Sequence, residues 1–328
     1  MQLNLPQPAV YFAPVRGRYD TAPGLSPLGT AFGNGAADAH LFQFDREFAR
    51  FRANKLACRA ERIGKYVLRD ARFEGELAES VCRLMAVRLA VEHPDLFALE
   101  TRPGGAGALE CGLTGETLRF DAGMRLTGLR GGDAATAPPY EDAFDALCCQ
   151  VPEDVAVVAL LNGEADANVA LHVCAPSSWT PEGKIGASFV TTHAPVPHFE
   201  KTARAAGPLL RTILNGRPVV RFNWGVERTN RLNLHPEPPP NGAAQDAAAT
   251  SPVYLRLERQ TLWGLPGVNA LLFAIRVYLR PATGLTPDER TLLLRALRTL
   301  PPATRAYKDM TDDADIVACL ESLDRSGG

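Results

Sequence analysis

The chain has 328 residues, of which 46% are hydrophobic and 22% are charged, and its formal net charge is −2. This composition is typical of a globular protein with one large domain or two ordinary ones. Nucleic acid and anionic membranes both select a concentrated positive surface, so neither is an expected partner. No apolar run reaches the roughly 18 residues of a membrane span, and the N-terminus lacks a signal-peptide pattern.

The cysteines indicate a reduced, cytoplasmic protein. There are seven of them, scattered along the chain, without CxxC, CxxCH or zinc-type Cys/His spacing. This pattern argues against zinc, an iron–sulfur cluster and covalently attached haem. The chain also lacks GxGxxG and GxxxxGK[ST], so no dinucleotide or nucleotide cradle is predicted. Any redox chemistry would therefore need electrons from another protein.

The N-terminal part is predicted to be an extended arm followed by a helical region. Residues 1–40 are rich in Gly, Pro and Ala and form the arm, and residues 41–150 form a helical region that packs on the core. Apolar residues at helical spacing and turn signals between short strands predict the following elements. They are helices at 42–69, 74–92 and 142–150, and a short hairpin that pairs 108–113 with 117–120.

From residue 151 the pattern changes to strands. Residues 151–282 are predicted to form the core and residues 283–328 a set of C-terminal helices. Consecutive strands joined by short turns favour an α+β fold, an antiparallel sheet with helices on one face. The predicted strands are 155–161, 168–175, 219–227, 253–262 and 269–280. The predicted helices begin at Thr180, cover 201–214, begin at the Thr286 capping box, and cover 312–323, while 236–251 is a low-complexity loop.

His193 is the histidine that the sequence singles out. It follows an amphipathic segment and precedes Ala-Pro-Val-Pro, whose two prolines fix φ and stiffen the chain. A metal or haem ligand needs such a preset direction. The alternative is an ordinary histidine beside a proline turn.

Charged residues also occupy strands that are otherwise apolar. Alternation places Arg221 and Asn223 on one side of their strand, and likewise Arg256, Glu258 and Gln260 on one side of theirs. Arg276 shares a side with Tyr278 and Arg280. These side chains form either a solvated outer face or a buried cationic cluster that binds carboxylates.

Five motifs in this order resemble those of the haem-dependent oxidative N-demethylase α-subunit-like family. They are Trp179-x-Pro181-x-x-Lys184-x-Gly186, His193-x-Pro195-Val196-Pro197, Arg221-x-Asn223-Trp224, Arg256-x-Glu258-Arg259-Gln260-Thr261-Leu262, and Phe273-x-Ile275-Arg276-x-Tyr278. The resemblance covers roughly residues 150–300 well and does not extend to residues 1–35.

The resemblance implies a PAS-like antiparallel sheet of five strands that encloses a non-covalent haem b. It gives the axial iron position to His193 and makes Arg221, Arg256 and Arg276 candidates for the haem propionates or the oxygen-binding side. It makes Arg221, Arg256 and Glu258 the expected catalytic residues. Lys184, Asn223 and Trp224 lie in the same motifs and are expected to bind the cofactor.

The function that the resemblance implies is oxidation of a small secondary amine by O₂. Electrons would come from a separate flavin or iron–sulfur reductase, since this chain has motifs for neither cofactor. Two alternatives stay open, a non-catalytic haem-binding gas sensor or carrier and an interaction module without haem. The substrate does not follow from the motifs, because other pocket residues select it.

Overall fold

Apolar strand segments of this chain assemble into two antiparallel sheets. The computed structural model describes residues 4–19, 24–132, 138–161, 165–237, 251–310 and 312–325. Within these ranges one sheet has seven strands and the other has four. Residues 238–250 of the predicted 236–251 loop lie outside the described residues.

The N-terminal part contains helices, the whole four-stranded sheet and two edge strands of the seven-stranded sheet. A short strand comes first and is followed by a 3₁₀ turn at Gly35–Ala39, and helices and strands then follow one another. Its elements are β1 (Ser26–Pro27), α1 (Phe48–Tyr66), β2 (Val67–Arg69), α2 (Gly75–Glu92), β3 (Phe97–Thr101), β4 (Gly107–Cys111), β5 (Glu116–Phe120), β6 (Leu126–Gly131) and α3 (Ala143–Cys148).

The predicted hairpin is present as β4 paired with β5, but it belongs to a four-stranded sheet in the order β3-β4-β5-β6. The structure thus adds two strands of this sheet, β3 and β6, to the helices and the hairpin that were predicted for residues 41–150. β3 and β6 were missed because each is short, with five and six residues.

The C-terminal part supplies the long strands. Its elements are β7 (Asp154–Leu160), β8 (Asp166–His172), α4 (Phe189–His193), α5 (Glu200–Arg204), α6 (Ala206–Asn215), β9 (Val219–Glu227), β10 (Tyr254–Leu265), β11 (Ala270–Pro281), α7 (Pro287–Arg298), α8 (Pro302–Tyr307) and α9 (Ala314–Arg325). The predicted helix start at Thr180 is a single 3₁₀ turn, Pro181–Gly183.

The large sheet has the strand order β1-β9-β10-β11-β7-β8-β2 within the described residues. Its five central strands are the five that the sequence predicts. The predicted count of five was nevertheless too low, because β1 and β2 add two and three residues at the edges. Such short segments have no periodicity that a sequence pattern can detect.

Helices cover both faces of the large sheet, whereas the sequence predicted helices on one face. On one face, Val155, Val157 and Leu272 pack with α2, α3 and the small sheet. On the same face, Trp224 and Leu255 pack against α7 and α9. We call this the covered face. The opposite face receives α6, whose Leu210 and Leu214 contact Leu271 near the β10–β11 turn.

Candidate functional site

The face opposite the covered face is enclosed only in part. Glu258 lies directly between Asn223 on β9 and Val277 on β11, and Gln260 lies between Arg221 and Ile275. Cross-strand partners in an antiparallel sheet share a face. We call this the partly covered face, since Arg221, Asn223, Glu258, Leu262, Phe273 and Ile275 all remain partly exposed on it. It is polar along β9 and β10 and apolar along β11.

Glu258 is the central acid of this face. Ser177 Oγ donates to its Oε1 over 2.6 Å, and Asn223 Nδ2 and Gln260 Nε2 donate to its Oε2 over 3.2 and 2.8 Å. Burial by itself would raise the pKa of Glu258, but these hydrogen bonds and the charge of Arg256 lower it below its usual value. A carboxylate has about four lone-pair positions, so one is left for a further donor.

Arg256 binds two loop segments that lie over the partly covered face, one at Ala175–Ser177 and one at Arg231–Leu232. Its Nε donates to Ser177 Oγ over 2.8 Å, and its two terminal nitrogens donate to the carbonyls of Arg231, Ala175 and Leu232. The residue is only 2% exposed. Since its three nitrogens all have protein acceptors, Arg256 positions Ser177, and through it Glu258.

Arg221 is the cation of this face that has no acceptor. Its guanidinium forms no hydrogen bond or ion pair with any described residue, and its Nε is buried. Burial lowers the pKa of Arg221, and the negative charge of Glu258 partly opposes that shift. A buried guanidinium nitrogen without an acceptor is costly, so an anionic group from a ligand would relieve this position.

His193 ends the short helix α4, beside this face. Its Nδ1 donates to the carbonyl of Phe189 over 2.8 Å, while its Nε2 has no partner among the described residues. Burial lowers the pKa of His193, and the nearby charges of Arg221 and Lys184 lower it further. The imidazole is therefore neutral at pH 7, with one nitrogen fixed and the other available. That is the usual state of a histidine that binds a metal.

Lys184 and Asn168 fix the end of α4. Lys184 Nζ donates to the carbonyl of Thr192 over 2.9 Å. Asn168, on the partly covered face of β8, donates to the hydroxyl of Thr192 over 2.7 Å. The sequence predicted Lys184 as a cofactor-binding residue, and in the structure its ammonium contacts the turn that contains His193.

Two of the predicted site residues lie away from this face. Arg276 is on the covered face, where it donates to Asp45 over 2.7 Å and lies 3.9 Å above the ring of Phe51. Trp224 is also on the covered face, with its ring against Tyr19. Of the two alternatives for the charged strand residues, the solvated outer face does not hold for Arg256, Arg259 and Arg276, which are at most 2% exposed.

Gly225 and Glu227 belong to the site, although the sequence analysis did not select them. Both continue the alternation of Arg221 and Asn223 along β9, which is the signal that would have found them. A β carbon on Gly225 would have no atom within 4 Å. Glu227 is half-buried, and its carboxyl group forms no hydrogen bond with any described residue. Burial raises its pKa, and the charges of Arg256 and Lys308 partly oppose that shift.

A cluster of three residues that could hold a metal ion lies elsewhere, in the core. Within the described residues, Asp145, Cys149 and His172 bring one ligand atom each to within 4.8 Å of one another. Asp145 already accepts two hydrogen bonds from Arg59, one from the Glu141 amide and one from His172. These partners saturate the carboxylate, and we interpret the cluster as a hydrogen-bonded core network.

Taken together, these elements define a class of protein, an α+β fold whose large antiparallel sheet has one covered face and one partly covered, polar face. The site combines a neutral histidine, an arginine without an acceptor and a carboxylate held by three side chains. The chain belongs to the family described as haem-dependent oxidative N-demethylase, alpha subunit-like, whose model matches residues 34–318. No helix in the described part of the chain is long and apolar enough to cross a membrane.

Proposed function

We propose that this chain binds haem b without a covalent link and oxidises a small secondary amine with O₂, as in N-demethylation. The observation that carries the proposal is the state of His193. Its Nδ1 is fixed by the Phe189 carbonyl, and its Nε2 is free next to a partly covered sheet face. This arrangement suits an axial ligand of haem iron.

The residues of the partly covered face fit a haem. Phe273, Ile275 and Leu262 offer an apolar surface that the protein itself does not cover completely. The guanidinium of Arg221 lacks an acceptor, and a haem propionate would supply one. Arg276 and Trp224 are left out of the proposed site, because they lie on the covered face.

Glu258 is proposed to hold the amine substrate. Its carboxyl is ionised at neutral pH, because its pKa is lowered by its hydrogen bonds and by Arg256. A protonated amine can donate to the lone-pair position that Ser177, Asn223 and Gln260 leave open. Glu227 adds a second carboxyl group on the same face of the sheet. When bound, the haem supplies the redox chemistry with O₂, and the protein orients the amine and excludes water.

The cofactor is tested by an absorption spectrum of protein expressed with ample haem, before and after dithionite. We expect a Soret band that shifts on reduction, at about one haem per chain. His193→Ala should lose most of the haem, whereas His198→Ala, five residues further along on an exposed loop, should retain it. Equal haem content in the two variants would remove the axial role of His193.

The activity is tested with dimethylamine, O₂ and a flavin or iron–sulfur reductase, by measuring formaldehyde release. Glu258→Gln should raise KM for the amine at least tenfold, because it removes the negative charge that attracts the ammonium ion. Binding of O₂ or CO by the haem without any turnover would favour the sensor or carrier instead.

A further inference from the structure

The segment that follows His193 carries a concentration of positive charge. Residues 188–218 contain Lys201, Arg204, Arg211 and Arg217 but only one acid, Glu200, although the whole chain has a net charge of −2. All four cations are exposed. This segment is therefore positive on an otherwise slightly negative protein.

Three of the four cations occupy exposed positions of α5 and α6. Ala206, Leu210, Ile213 and Leu214 form the buried side of α6, which packs on the large sheet. Lys201 and Arg204 on α5 and Arg211 on α6 are exposed, and so lie outside this buried side. The apolar side attaches the helices to the sheet, and the basic side is left for solvent or a partner.

An aromatic ring connects this basic side to His193. The chain turns sharply after His193: the Val196 amide donates to the His193 carbonyl over 2.9 Å, and His198 adopts φ 61°. The turn brings back Phe199, the residue just before α5. Its ring stacks on the imidazole of His193, with centroids 5.4 Å apart and planes at 25°.

We propose that the basic side of α5 and α6 docks an acidic electron-donor protein, whose electrons reach His193 through the ring of Phe199. The inference rests on the proposed function, because it places the iron at His193. The step is a single-electron transfer in which a reduced iron–sulfur or flavin group loses one electron and ferric haem gains it. No bond is made or broken. Opposite charges would speed the encounter and make it sensitive to salt.

The test uses the haem-loaded full chain and an acidic [2Fe–2S] ferredoxin in its reduced form, mixed in a stopped-flow instrument. We expect the second-order rate of haem reduction to fall as salt rises. Lys201→Glu with Arg204→Glu should lower that rate roughly tenfold or more at low salt and weaken its salt dependence. Haem content and the rate of reduction by dithionite should stay at the wild-type values.

The matched control is Arg125→Glu with Arg130→Glu, two exposed arginines at the four-stranded sheet that change the net charge equally. An equal loss of rate in the control, or no loss in the Lys201/Arg204 variant, would overturn the docking site. Loss of binding to anionic phospholipid vesicles, with ferredoxin reduction unchanged, would assign the surface to a membrane instead.

Phe199→Leu tests the electron route separately from docking. We expect a slower rate at saturating ferredoxin and an unchanged half-saturating concentration; an unchanged saturated rate would remove Phe199 from the route. If the wild-type chain bound no haem, the proposed function would fail. Docking would then be decided by calorimetric titration of oxidised ferredoxin into the wild type and the charge variants.

Discussion

Glu153 is a carboxyl group enclosed between the N-terminal segment and the large sheet. It is 1% exposed, its Oε1 accepts the Gln43 amide over 2.8 Å, and its Oε2 has no partner in the described part of the chain. Burial raises the pKa of Glu153 to about 7, even though the charges of Arg276 and Arg259 act in the opposite direction. Folding therefore favours the protonated acid.

This shift predicts a pH dependence of stability. The stabilising effect of Glu153 is complete below its usual pKa of 4.5 and is lost as the pH rises towards 7. The loss amounts to about 3 kcal/mol, from roughly 1.4 kcal/mol per pKa unit. Glu153→Gln should remove this part of the pH dependence, measured as the free energy of unfolding in urea from pH 4.5 to 8.

The control for this measurement is Glu110→Gln, at an exposed position of β4. It should leave the pH profile of the wild type unchanged. Identical profiles for the Glu153 variant and the wild type would show that the folded-state pKa of Glu153 is not raised.

At the scale of single elements, α7 shows how local sequence and packing agree. Thr286 Oγ1 accepts the Glu289 amide over 3.2 Å, and the Glu289 carboxylate accepts the Thr286 amide over 2.9 Å. This capping box was predicted from the Thr-Pro-Asp-Glu sequence alone. The helix then buries Leu293 and Leu297 against the covered face near Trp224.

Removing the cap should weaken α7 without changing the partly covered face. Thr286→Ala is expected to lower the free energy of unfolding by about 1 kcal/mol, because it leaves a helix N–H without its acceptor. Thr286→Ser keeps the hydroxyl and should remain close to the wild type in the same urea titration. Equal stability of the Ala variant and the wild type would contradict the role of the cap.

At the scale of the whole molecule, one glycine determines how closely α6 can approach the large sheet. Gly264 lies on β10 where the last turn of α6 crosses it. A β carbon at this position would lie 2.1 Å from the carbonyl oxygen of Leu214. Because that oxygen is a backbone atom, the whole helix would have to move, and α6 is joined through α5 to the segment that carries His193.

Gly264→Ala should therefore destabilise the protein by about 2 kcal/mol, as expected for overpacking of a rigid contact. It should also lower haem retention. Gly267→Ala is the matched control, since a β carbon on Gly267, in the β10–β11 turn, would have no atom within 4 Å. Thermal unfolding and the Soret absorbance of both variants check this, and similar losses in the two would refute the contact.

The sequence by itself determined the five central strands of the large sheet, the face that each side chain shares with its neighbours in the same strand, and the family. Alternation depends only on local backbone geometry, so the grouping of Arg221 with Asn223 and of Arg256 with Glu258 was correct. The motifs between Trp179 and Tyr278 also identified the family that the match over residues 34–318 shows.

Only the tertiary structure decided which groups of different strands meet. The register of β10 with β11 sets Arg276 opposite Arg259 and so on the covered face, away from Glu258. The long-range bonds of Arg256 to the loop carbonyls of Ala175 and Leu232 likewise have no local signature. Register and loop closure depend on contacts between distant residues, and a one-residue slip would exchange the two faces.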